Sequence, residues 1–169
     1  MTPMRTVIAW LPMLVACAAM PQAEAAPVAG WIERARISPG GIVLEAKLDS
    51  GARTSSLNAE NLEQFERGGQ KWMAFDVVGN DGRRAHLERP LVRVARIRSA
   101  PGVDEDRPTV TLGICVGDVY LVTEVNLVDR SNLIRPLLIG RRFLLKGHLL
   151  IDLKRRHLLE PACEQEAVP

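Results

Sequence analysis

Short alternations of apolar and polar residues, cut apart by turn residues, run through most of this chain and leave little room for anything but β-structure. Ile42, Leu44, Ala46 and Leu48 alternate with Val43, Glu45 and Lys47, a period of two that marks a strand with one buried face. Pro39-Gly40-Gly41 joins it to an earlier run, Trp31 to Ile37. Trp72 to Val78 leads into Gly79-Asn80-Asp81-Gly82, a strong turn, and Arg83 to Leu87 returns as its partner. Leu91 to Ile97 is a further strand with arginines interleaved, and Val110 to Val116 and Val119 to Val128 form a hairpin around Gly117-Asp118. Leu137 to Ile139 is continuous and apolar, as suits a strand buried on both faces.

Elsewhere the pattern predicts a short helix over Ala59 to Phe65, where Leu62 and Phe65 stand three apart, broken by Gly68-Gly69. It predicts a loop over 99–108, a single helical turn over Arg142 to Leu145, and a last hairpin pairing Leu149 to Leu153 with His157 to Leu159. Strands this short and this regularly spaced favour a small, closed all-β barrel, with one short helical turn near the C-terminus.

The N-terminus stands apart. Arg5 precedes an uncharged apolar stretch, Thr6 to Met20, and Ala23-Glu24-Ala25 offers a small-x-small cleavage site, so residues 1–25 are expected to be an export signal. Leu14-Val15-Ala16-Cys17 also fits a lipobox, with cleavage before a lipidated Cys17, the only route by which a membrane is expected as partner. Either way the expected location is outside the cytoplasm, periplasmic or anchored. One domain is expected over 28–160, followed by a tail over 161–169. A domain of that size buries roughly two-thirds of its unfolded surface and needs no metal for stability. The net charge of +2 argues against nucleic acid as a partner. Cys115 and Cys163 can pair in an oxidising compartment or remain separate thiols.

Asp49 is the principal catalytic candidate. It sits where an alternating strand ends in Asp49-Ser50-Gly51-Ala52. Two carboxylates held too close for both to ionise share a proton, one acting as base on water and the other as acid on a carbonyl. Gly51 permits a tight turn, Ser50 offers a hydroxyl to hold the loop, and Ala52 is small. The same tripeptide taken alone also suits an ordinary surface turn.

Three segments in order carry a resemblance: Ala46 to Leu57, then Asp106-Arg107-Pro108, then Leu138 to Leu144 with its Leu-Ile-Gly-Arg-Arg-Phe-Leu. Over about 100 residues they resemble the bacterial RimK-associated retropepsin-like aspartic peptidases, also named ATP-dependent zinc proteases. The resemblance implies a retropepsin-like barrel. It implies endopeptidase activity from a homodimer in which each chain gives one Asp49, with Ile139 and Gly140 walling the catalytic loop. Arg53, Thr54, Asn58 and Arg141 become candidates for the substrate cleft. Viral retropepsins carry an acid where this chain has Arg53, so Arg141 needs another partner, and many bacterial relatives carry His in place of Asn58.

No cofactor and no metal are expected: His86, His148 and His157 are scattered singly, and no phosphate-binding loop is present. The hairpin Trp72 to Leu87 is expected to cover the cleft as a flap. Arg53, Arg83, Arg84, Arg93, Arg96 and Arg98 form either a basic cleft for acidic peptides or a solvated strand face. The expected partner is a peptide or protein substrate, and the alternative function is a non-catalytic peptide- or partner-binding module on the same fold.

Overall fold

The computed structural model describes residues 25–100, 103–128 and 135–164, with the side chains of 98–103 left out. The export signal, Cys17 and the end of the C-terminal tail lie outside the described residues. The elements run β1 (Val28–Gly30), β2 (Ile32–Ser38), β3 (Ile42–Asp49), β4 (Ser55–Asn58), β5 (Glu60–Arg67), β6 (Gln70–Val78) and β7 (Arg84–Pro90). There follow β8 (Arg93–Ala100), β9 (Val103–Val116), β10 (Val119–Val128), β11 (Leu137–Gly140), α1 (Arg141–Lys146) and β12 (Leu150–Asp152).

Six strands close into a barrel in the order β10-β4-β11-β3-β2-β9, with β9 pairing back to β10 and β8 extending beyond β9. Closure removes the open edges that a sheet of short strands would otherwise expose. The alternating face of β3 supplies Ile42, Leu44, Ala46 and Leu48 to the interior, where they meet Leu57, Leu112, Ile114, Leu127 and Ile139. The expected all-β barrel with one short helix is therefore what forms.

Beside the barrel, β5, β6 and β7 make a three-stranded sheet. The helix expected over Ala59 to Phe65 is instead strand β5. Gly68 and Gly69 both take positive φ, 59° and 75°, which makes a tight reversal between β5 and β6. That reversal sets Phe65 directly opposite Trp72, and Arg67 lies over both rings at 5.1 and 4.7 Å. A cross-strand aromatic pair thus overrides the three-residue spacing of Leu62 and Phe65.

Two further expectations are corrected. Of the loop expected over 99–108, residues 103–108 belong to β9, where Asp106 lies directly opposite Arg96 and the two pair at 3.1 Å. Opposite charges across the ladder make a run of acids compatible with a strand. No last hairpin forms: β12 pairs parallel with β1, and the chain beyond it runs beside β2. Trp31 donates to the Arg155 carbonyl and His157 donates to that of Ile32. The fully buried Glu33 carboxylate accepts amides from Gly30, Leu158 and Leu159. Cys115 and Cys163 are joined in a disulfide that holds the end of this strap against β9.

Candidate active site

Asp49 is the last residue of β3. The parallel pairing of β11 with β3 sets Ile139 beside Leu48 and Gly140 beside Asp49, and Ile139 is fully buried. A Cβ on Gly140 would meet the carbonyl carbon of Thr54 at 2.6 Å and its oxygen at 2.8 Å, so only glycine lets the two backbones approach. The Gly140 amide donates to Ser55 Oγ at 3.1 Å, the Arg141 amide to the Ala52 carbonyl at 2.7 Å, and the Arg142 amide to the Arg53 carbonyl at 3.2 Å. The loop from 50 to 54 is thereby hung on the β11–α1 junction, and the carboxylate is held by backbone on both sides.

Within that loop Asp49 Oδ1 accepts the Gly51 amide at 3.0 Å and the Ala52 amide at 3.3 Å, while Lys47 Nζ stands 3.5 Å from Oδ2. A Cβ on Gly51 would stand 3.2 Å from Oδ1, so glycine keeps room beside the carboxylate. Burial pushes the Asp49 carboxyl up. The Gly51 amide, the Lys47 charge and the Ala52 amide together outweigh it and hold the group below its ordinary value. Ser50 and Gly51 are exposed, and the Asp49 side chain is 28% exposed, so the carboxylate is open to solvent on one side.

A cleft of about 600 Å³ opens beside this loop. Ala52, Arg53 and Thr54 line it from the loop after Asp49, Arg93 to Ile97 from β8, Arg107 from β9, and Glu124 and Arg142 from β10 and α1. Of the candidates named from sequence, Arg53 and Thr54 therefore meet in the cleft. Asn58 and Arg141 lie outside its lining; Asn58 sits half-buried on β4 with its amide on the Pro136 carbonyl, and Arg141 is exposed. Arg142, one residue further along, takes the place expected for Arg141. Five arginines line the cleft, and the arginine runs that raised a basic cleft in the sequence had already included Arg53, Arg93 and Arg96. Arg107 stands in the Asp106-Arg107-Pro108 segment that carries the resemblance, whereas Glu124 has no signal in the sequence, because its role depends on which strand faces the loop.

The hairpin Trp72 to Leu87 does not cover this cleft. Its turn packs on the β2–β3 side of the barrel: Asn80 donates its amide to the Val43 carbonyl, and a Cβ on Gly40 would touch Ala85 and Leu87 at 3.2 Å. Phe75, Val77 and Leu87 are buried there, so the hairpin's apolar face is spent on the barrel. Arg83 and Arg84 go with it, pairing with Asp81, Glu60 and Asp76 on the far surface. The wall facing the 52–54 loop across the cleft is the β8–β9 pair. Among the described residues no three His, Cys, Asp or Glu side chains gather as metal ligands would.

The comparisons agree with this geometry. The family model RimB-like, described as "Retropepsin-like aspartic endopeptidase RimB", matches residues 28–161. The "Probable alpha-L-glutamate ligase" of Parasynechococcus marenigrum is 29% identical over 119 residues, which is 69% of this chain and 25% of that protein. A protein of the same name from Shewanella pealeana is 32% identical over 101 residues, 58% of this chain and 22% of that one. The chain thus spans about a quarter of the length of the curated relatives it matches. The crystal structure of Lpg0085 from Legionella pneumophila, of unknown function, matches with a TM-score of 0.68 at 29% identity, covering 79% of this chain and 98% of that one.

Proposed function

Since the chain belongs to the RimB-like family of retropepsin-like aspartic endopeptidases, we propose that it hydrolyses peptide bonds as a homodimer in which each protomer supplies one Asp49. The observation that carries this reading is the fixing of Asp49 at the end of β3. Two amides hold Oδ1, and the β11 glycine presses against the loop from behind. A rigid, half-open carboxylate is what a proton-sharing pair needs from each partner. Asp49 stands at the edge of the cleft, whose lining in one protomer contains no aspartate, and its one glutamate, Glu124, is taken up by Arg93 and Arg142. A second copy completes the pair, and the exposed Ser50-Gly51 turn is where the two loops meet.

In the dimer, one carboxylate activates water and the other, protonated, polarises the scissile carbonyl. Two like charges at that distance raise one of the two pKa values, reversing the lowering seen at Asp49 in the single protomer. The arginine-lined cleft supports an acidic peptide as substrate, and relatives named as glutamate ligases fit a peptide rich in glutamate. Export fits the same reading, because the Cys115–Cys163 disulfide suits an oxidising compartment and the apolar leader precedes the domain.

The test compares wild type with Asp49→Ala on a peptide mixture that includes glutamate-rich sequences, from about pH 4 to 7 where a shared-proton pair works, with products read by mass spectrometry. Cleavage by wild type alone, concentrated in acidic sequences, is expected. Silence from wild type that is folded and dimeric would overturn the peptidase reading and leave the peptide-binding module.

A further inference from the structure

The cleft holds more cationic donors than its own carboxylates satisfy. Arg93 donates to Glu124 Oε2 through Nη2 at 2.8 Å and Nε at 3.3 Å, and Arg142 Nη1 reaches the same oxygen at 3.1 Å. Glu124 Oε1 accepts from no described group. The Arg53 guanidinium has no partner among the described residues. Arg107 pairs with Glu105 through Nη2 at 2.6 Å, while its Nε is buried and unpartnered.

One carboxylate oxygen gripped by two guanidinium groups in an open cleft is the arrangement by which arginines bind a carboxylate ligand. Here the carboxylate belongs to the protein and is 31% exposed. It also has somewhere to go. A second hollow of about 580 Å³ shares Glu124 and Arg142 with the cleft and is lined by Thr111, Thr123 and Lys146. A Glu124 side chain turned into that hollow, which Val122 and Leu145 also line, would exchange Arg93 for the Lys146 ammonium and leave the cleft side of Arg93 and Arg142 open to a ligand. The Arg93 hydrogen bond, against burial, holds the Glu124 carboxyl below its ordinary range, so it competes as an anion wherever an acidic peptide is itself ionised.

We propose that Arg93 and Arg142 form a carboxylate-binding subsite for an acidic side chain of the peptide, which Glu124 occupies in the free protein and the substrate displaces. This rests on the acidic-substrate reading above and adds to it a named subsite and an internal competitor. Glu124 is a specificity-determining residue, not a catalytic one.

The experiment measures binding, so turnover is not needed. Asp49→Ala in the full chain is titrated into a fluorescent hexaglutamate peptide at low salt, with hexaglutamine as control, and compared with the same chain carrying E124Q and with E124Q plus R93Q. Circular dichroism confirms that each variant is folded. E124Q is expected to bind hexaglutamate about tenfold tighter with hexaglutamine unmoved, R93Q to abolish the gain, and added salt to shrink it. Equal or weaker binding by E124Q, when the parent binds, would overturn the subsite while leaving the acidic-substrate reading in place. No binding by either would overturn both and leave the peptidase reading, tested separately, untouched.

Discussion

Two hairpins flank the barrel, β6–β7 and β8–β9, and they show how differently a hairpin can be used. The first has the stronger turn, Gly79-Asn80-Asp81-Gly82, and an apolar face made by Phe75, Val77 and Leu87. That face is buried on the β2–β3 turn, so the hairpin serves stability. The second carries arginines and an exposed valine, Val94 at 52% exposure, and lines the cleft beside the loop that follows Asp49. An element that buries its apolar face cannot also offer it to a ligand. The poorer hairpin by folding criteria is the one free to bind.

The largest effect should come from the stabilising side. Phe75→Ala empties a fully buried site and should cost about 3 to 5 kcal/mol in chemical denaturation, with KM of the protein that remains folded unchanged. A raised KM at unchanged stability would break the comparison. Gly140→Val drives a side chain into the Thr54 carbonyl and should cost roughly 3 kcal/mol and remove turnover, because relief of the clash must move the catalytic loop.

Smaller and more selective effects belong to the cleft. Arg107→Gln should lower kcat/KM for acidic peptides about tenfold, or about 1.4 kcal/mol, and leave neutral peptides nearly unaffected. Arg84→Gln, on β7, should change neither; an equal loss there would mean that charge at a distance, not the cleft, reads the substrate. Lys47→Ala should move the pH profile without changing its height. Lys47 favours the ionised Asp49, so its removal raises the carboxyl pKa, and the singly protonated pair persists to higher pH. Rate profiles at matched ionic strength check this, and a shift to lower pH would contradict it.

The barrel was legible because its signal is local. The alternation of Ile42 to Leu48 marks one strand, and Asp49 ends it wherever the strand lies. Leu137 to Gly140 likewise announces a buried strand closing on a glycine. What could not be read was placement. The strength of the Gly79–Gly82 turn shows that a hairpin forms and says nothing of which side of the barrel receives it. Glu60 to Arg67 lacks an apolar face, so its identity as a strand comes from the Gly68-Gly69 reversal and the Phe65–Trp72 pair. The strap after β12 is held by Glu33, a buried acid two of whose amide partners, Leu158 and Leu159, lie 125 and 126 residues away, a contact without a periodic signature.

The central claim is that the working site takes one Asp49 from each of two copies. Wild type and Asp49→Ala should be mixed in equal amounts, allowed to exchange subunits, and assayed on an acidic peptide at constant total protein. If only dimers with two Asp49 work, the mixture should retain about one quarter of the wild-type rate and follow the square of the wild-type fraction. A rate of about one half, falling linearly with that fraction, would show that each protomer acts alone and would contradict the account.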